Sequence, residues 1–193
     1  KVKNLSYEKG KILNGPLLLD FEPITDNRGY FYEKWNKKKF LEFAPLEFNL
    51  VQENISKSYK GVLRGLHYQI NPNAQCKIVS CLKGEIFDVA VDIRKNSSTF
   101  GKWISAFLNE KNKSQLLIPE GFAHGFISLS DEAIVNYKTN NYWSQTHERS
   151  ILWNDKIINI NWPLHLLGKK NLTISEKDKN AKSLDQLSTD ELL

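Results

Sequence analysis

Between Ile78 and Lys138 the chain alternates short apolar stretches with turn residues, and no other feature constrains its fold so strongly. Ile78–Leu82 and Ile86–Ile93 flank Lys83-Gly84-Glu85, which reads as a hairpin turn. In the second stretch Phe87, Val89, Val91 and Ile93 share one face. Asp88, Ala90, Asp92 and Arg94 take the other. Phe100–Leu108, Gln115–Ile118, Gly125–Leu129 and Ala133–Lys138 follow at similar spacing. This pattern predicts a mostly β chain, a sandwich or barrel. Helix is scarce. Residues 36–43 predict one or two turns with Phe40, Leu41 and Phe43 inward. Residues 183–193 predict a C-terminal helix with apolar positions 184, 187 and 192.

The 193 residues suffice for one domain with a core, and ten Phe, seven Tyr and five Trp supply large side chains to fill it. The core is expected over about 17–167, followed by a polar segment at 168–182 that reads as mobile. Trp143, Trp153 and Trp162 read as core or interface, with pocket lining the lesser alternative for Trp143. The net charge of +5 is modest, and its densest runs are only Lys37–Lys39 and Lys169-Lys170. That balance suits a local anionic ligand better than duplex DNA, which calls for a basic stripe. No apolar run approaches the ~20 residues needed to span a bilayer. The start carries no secretory pattern, and the lack of any Met implies that the first residue or residues are missing. Cys76 and Cys81 match no zinc spacing and make no disulfide framework, so they are expected reduced, in a cytoplasmic protein.

Two segments carry histidines that matter. Gly61-Val-Leu-Arg-Gly-Leu-His-Tyr-Gln69 brings His67 and Gln69 onto one strand face, with Arg64 three residues before His67. Ile118-Pro-Glu-Gly-Phe-Ala-His-Gly125 reads as a loop bearing His124. The Pro-x-Gly-x-x-His pattern resembles the cupins, jelly-roll β-barrels with polar groups in the barrel mouth. A metal-binding cupin needs a His-x-His pair and a carboxylate in its first motif. Here that motif reads His67-Tyr-Gln69 and no Glu follows nearby, so a metal is not expected. Arg64 and Lys77 are costly to bury without a counter-charge. A cleft gathering them around a histidine suits an anionic substrate, with the histidine as base near neutral pH.

The resemblance becomes specific when the motifs are taken together. They are Asp26-Asn-Arg-Gly-Tyr-Phe31, Val51-Gln-Glu-Asn54, Leu63–Gln69, Asp88-Val-Ala-Val-Asp-Ile-Arg94, Ser98-Thr-Phe-Gly101, Ile118–Phe126, Tyr137-Lys138, His147-Glu-Arg149, Trp153-Asn-Asp155 and Ser175-Glu-Lys-Asp178. From about residue 17 to 187 the chain resembles the 3,5-epimerases that act on dTDP-4-dehydro-6-deoxyglucose. The resemblance implies His67 as base, Asp178 as its partner, Tyr137 as the proton donor on the opposite face, and Lys77 near the 4-keto oxygen. It implies Arg28, Glu33, Gln52, Glu53, Asn54, Arg64, His124, Glu148 and Lys177 as substrate-binding residues. It further implies a nucleotide-sugar substrate, no cofactor, no nucleic acid or membrane partner, and a homodimer whose N-terminal strands extend the partner's sheet. Taken singly, Tyr137 reads as a core or rim tyrosine, Asp178 as surface, and Arg28-Gly29 as a turn. Three alternatives stay open: another nucleotide sugar, inversion at one carbon only, and a cupin that binds a nucleotide sugar without turnover.

Overall fold

Strands with apolar residues at alternate positions need a second apolar surface to cover them, and here two facing antiparallel sheets supply it. The computed structural model describes residues 1–8, 11–43 and 49–193. The first sheet contains β1 (Val2–Glu8), β2 (Lys11–Leu19), β5 (Gln52–Tyr59), β7 (Lys77–Lys83), β10 (Gln115–Ile118) and β12 (Glu132–Thr139), in the order β1-β2-β10-β7-β12-β5. The second contains β6 (Val62–Gln69), β8 (Glu85–Asp92), β9 (Trp103–Asn109), β11 (Phe122–Ser128) and β13 (Glu148–Ser150), in the order β13-β6-β11-β8-β9. A separate hairpin pairs β3 (Ile24–Asp26) with β4 (Gly29–Phe31). This is the cupin-like jelly roll that the spacing and the motifs imply.

Three expectations fail in instructive ways. Lys83-Gly84-Glu85 is not a hairpin turn: β7 and β8 lie in opposite sheets, and the chain crosses between them here. Gly84 has φ +75°, and a Cβ there would lie 2.2 Å from the Glu132 carbonyl oxygen, so the corner admits only glycine. His124 is not on a loop but inside β11. The expected C-terminal helix is two separate 3-10 turns, Leu184–Gln186 and Thr189–Glu191. Each has its own capping box, Ser183 with Gln186 and Ser188 with Glu191, and Leu187 between them is extended. A second capping serine restarts the chain before a helix can propagate.

One apolar cluster lies between the sheets, with Leu13, Val79, Ile86, Ala90, Ile104, Leu116, Phe126 and Val135. A second covers the outer face of the second sheet, where Phe87, Val89, Val91 and Ile93 meet Ile151, Trp162, Leu167 and Leu184. Burying each such Leu or Ile contributes about 1.5–3 kcal/mol. Both faces of β8 are therefore covered, and the face bearing Asp88 looks into the barrel. A third cluster packs Phe40 of α1 (Lys37–Phe40) with Ile78 and Leu117 on the outside of the first sheet.

The polar segment at 168–182 is mostly exposed, with Asp178 its one buried residue, yet it is anchored to the barrel. Its strand β14 (Thr173–Ile174) pairs in parallel with β6, and the one-turn helix α2 (Glu176–Lys179) follows. Farther on, the Leu184 N–H donates to Asp155 Oδ2 at 2.7 Å, which ties the C-terminal stretch to the Trp153-Asn-Asp155 turn.

Candidate active site

At one end of the inner core, the space between the sheets opens as a cavity of about 240 Å³. The first sheet contributes Gln52, Asn54, Lys77, Tyr137 and Thr139. The second contributes Arg64, His67, Gln69, His124 and Phe126, with Glu148 at its edge. A larger cavity of about 400 Å³ lies beneath the β3–β4 hairpin, lined by Leu19, Phe21, Ile24, Phe31, Trp35 and Phe40 among others. It contains no histidine, so size alone does not identify the reactive site.

His67 comes from β6, a strand made by Val62, Leu63, Leu66 and Tyr68. Here β6 runs unusually close to β11: a Cβ on Gly65 would lie 2.5 Å from the Gly125 Cα. The His67 Nε2–H donates to Asp178 Oδ1 at 2.6 Å. Asp178 is buried, and its Oδ2 accepts from the Gly65 N–H at 3.2 Å. Ser175 caps α2 and accepts the Asp178 N–H at 3.2 Å, which fixes the turn that carries the carboxylate. Burial acts to raise the Asp178 carboxyl, but hydrogen bonds from His67 and Gly65 outweigh it and hold the group below its ordinary value. The Nδ1 of His67 is left for the cavity.

Lys77 faces this ring from the first sheet, its Nζ donating a long bond of 3.4 Å to the His67 carbonyl oxygen. Burial pulls the Lys77 ammonium down to about 8, with Glu148 and Asp88 opposing. Tyr137 stands on β12, so its phenol and the His67 imidazole reach the cavity from opposite sheets. Arg64 is anchored by bonds from Nε to Ser58 Oγ at 3.0 Å and from a terminal nitrogen to the Lys57 carbonyl at 3.1 Å. His124 is the direct cross-strand neighbour of His67, and its Nε2 lies 2.7 Å from Asp88 Oδ1. Burial raises the Asp88 carboxyl, with His124 and Lys77 opposing.

Not every predicted residue reaches the cavity. Glu53 points away from it, because Gln52 and Asn54 take the inward positions of β5, and it accepts from Asn136 Nδ2 at 2.8 Å. Arg28 is exposed on the β3–β4 hairpin and paired with Asp26 at 2.6 Å. Glu33 pairs with Lys39 at 2.8 Å, by the larger cavity. Lys177 lies just behind the wall, bonded to Glu148 at 2.5 Å. Trp143 takes the lesser of its two expected places, half exposed at the cavity rim, whereas Trp162 is buried. The sequence reading missed Asp88 as a site residue. Its signal was a carboxylate inside an otherwise apolar strand, which needs a partner if buried. Gln75 and Thr139 carried no signal. Among the described residues, no three His, Cys, Asp or Glu side chains cluster to hold a metal ion.

The model of the dTDP-4-dehydrorhamnose 3,5-epimerase family matches residues 11–186. A relative of that name from Shigella flexneri is 57% identical over 86% of this chain and 90% of its own length. One from Methanothermobacter thermautotrophicus is 49% identical over 89% of this chain and 91% of its own. Among solved structures, the dTDP-6-deoxy-D-glucose-3,5-epimerase of Legionella pneumophila, in complex with dTDP-4-keto-L-rhamnose, superposes with a TM-score of 0.89. It is 40% identical and covers 100% of this chain and 97% of that one.

Proposed function

The chain belongs to the dTDP-4-dehydrorhamnose 3,5-epimerase family, and we propose that it inverts C3 and C5 of a dTDP-4-keto-6-deoxyhexose with His67 as base and Tyr137 as acid. The observation that carries this reading is the opposition of His67, held by Asp178 at 2.6 Å, to Tyr137 on the facing sheet.

A 4-keto group acidifies the C–H bonds on both neighbouring carbons. His67 Nδ1 takes the proton, and the electron pair moves into an enolate with its charge on O4. Asp178 stabilises the imidazolium that forms. The Lys77 ammonium stabilises the oxyanion, a charge that exists only along the reaction. Tyr137 then donates its phenolic proton to the other face of the carbon, and inversion is complete. Arg64 provides a fixed cation for the diphosphate.

A homodimer belongs to the same reading. Arg28 and Glu33 lie outside the cavity of their own chain, and the hairpin next to them exposes Ile24, Tyr30 and Phe31. A partner chain receiving the N-terminal strands covers these residues and supplies the route for Arg28 and Glu33 into a cavity. The two free, buried cysteines fit a reducing compartment, which supports a cytoplasmic site of action.

The test is Tyr137→Phe in D2O with dTDP-4-keto-6-deoxyglucose, followed by product NMR. The parent protein should exchange and invert both carbons. The variant should still wash deuterium into the sugar but yield little C5-inverted product. Inversion at the parent rate would mean that another acid serves the second face. Exchange at one carbon only would mark a mono-epimerase, and no exchange by the parent a binding protein.

A further inference from the structure

The cavity wall holds a second histidine–aspartate pair for which base and acid have no need. His124 is nearly enclosed, with its Nε2 committed to Asp88 at 2.7 Å. Asp88 is fully buried, and its second oxygen, Oδ2, has no hydrogen-bond partner among the described residues. A half-satisfied carboxylate in a barrel core is costly. An alanine like Ala90, two residues along the same face, would avoid that cost. We propose that Asp88 is a positioning residue, which holds the proton of His124 on Nε2 and so presents an unprotonated Nδ1 to the cavity as the acceptor for a sugar hydroxyl.

This inference rests on the epimerase reading and deepens it. A carboxylate only accepts, so a neutral ring bonded to it through Nε2 carries its lone pair on Nδ1. His124 lines the cavity, and among the described residues that nitrogen has no hydrogen-bond partner. The neighbouring groups are mostly donors: Lys77, Tyr137 and Arg64 suit a keto oxygen and phosphates. Of the cavity's anionic groups, Glu148 is already bonded to Lys177. A sugar also brings hydroxyl hydrogens, and these need acceptors. Direct pairing of β6 with β11 sets His124 beside His67, so the hydroxyl it holds lies next to the carbon being deprotonated.

Nitrogen NMR of the histidine-labelled protein reads the tautomer. His124 should be protonated at Nε2 and bare at Nδ1. Asp88→Asn offers an amide N–H to Nε2 and should move the proton to Nδ1, turning the acceptor into a donor. Calorimetry then compares dTDP, unreactive dTDP-glucose, and the 2-deoxy and 3-deoxy forms of dTDP-glucose. The parent protein should bind one deoxy form about tenfold more weakly than dTDP-glucose. Asp88→Asn should weaken dTDP-glucose about tenfold, leave dTDP unchanged, and lose nothing further with that same deoxy form.

His124→Asn provides the second check, because its amide oxygen takes the place of Nδ1. In that background Asp88→Asn should cost nothing on dTDP-glucose. A protonated Nδ1 in the parent, an equal loss for dTDP and every sugar, or a full loss in the His124→Asn background overturns the proposal. Each of these results, with the parent protein still binding dTDP, leaves the epimerase reading standing. If the parent does not bind dTDP, the epimerase reading falls and this inference with it.

Discussion

The two histidine–aspartate pairs of the cavity use the same atoms, Nε2 and Oδ1, at nearly the same distance, yet they are assembled differently. The partner of His124 lies on the adjacent strand of the same sheet, so the β8–β11 ladder alone brings them together. The partner of His67 lies 111 residues away and arrives only when the C-terminal segment docks along β6. Their exposures differ too: the His67 side chain is 29% exposed and that of His124 is 9%. An open ring can hand a proton to a substrate and exchange it with water. An enclosed ring is better suited to holding one fixed hydrogen bond. The exposure of one pair suits the proposed proton transfer, and the enclosure of the other suits the proposed alignment.

Substituting both histidines alike is the sharpest way to break this comparison. His67→Asn should lower turnover and deuterium exchange by about 10⁴-fold, the upper range for a lost general base, with dTDP binding nearly unchanged. His124→Asn should cost turnover no more than about tenfold. Equal losses in stopped-flow and exchange assays would erase the distinction between the pairs.

Lys77 faces the pairs from the other sheet and is expected to come next in size. Lys77→Ala should reduce turnover by about 10²-fold, as for a lost oxyanion donor, with little change in affinity for dTDP-glucose. Because burial pulls this ammonium to about 8, its charge is present below that pH and lost above it. Turnover should therefore decline as pH rises through about 8. Lys77→Arg keeps its charge throughout, so its residual activity should lack that decline. Stability runs the opposite way. The unfolded chain keeps this proton up to the ordinary lysine value of 10.5, so burying the ammonium costs stability in full below about 8, and the cost fades as pH rises from there towards 10.5.

Asp178→Asn should affect chemistry no more than Lys77→Ala, on the order of tenfold to 10²-fold in turnover, because His67 itself stays in place. Its carboxyl is held below the ordinary value, so it stabilises the fold above the usual carboxylate range. That contribution is lost as pH falls through the lowered value. Acid unfolding of the variant, followed by circular dichroism, should show a weaker pH dependence in that window. An unchanged profile would mean that Asp178 is not coupled to the docking of the C-terminal segment.

Much of the site was legible because its residues sit in short motifs. Arg64, His67 and Gln69 share one strand, and His124, Tyr137 and Asp178 each sit in one of the motifs, whereas Lys77 sits in none. Period-two alternation found the strands, and Gln115–Ile118 matches β10 residue for residue. The alternation could not say which strands are neighbours. Lys83-Gly84-Glu85 looked like a hairpin because a sheet-crossing corner and a hairpin both need a glycine and polar flanks. His124 looked loop-borne because Pro119 and Gly121 mark a turn, though β11 begins only one residue after it.

By itself, then, the sequence determined the strand-rich class, the motif identities and the acid–base inventory. These depend on residue type and on spacings of a few positions, which local sterics and side-chain chemistry enforce. Only the tertiary structure decided that Asp178 reaches His67, that Tyr137 faces it from the other sheet, that Asp88 stands behind His124, and that Glu53 turns away. These are contacts between distant segments. They follow from which sheet each strand joins and in what register, and that is settled by burying apolar faces against one another across the whole chain.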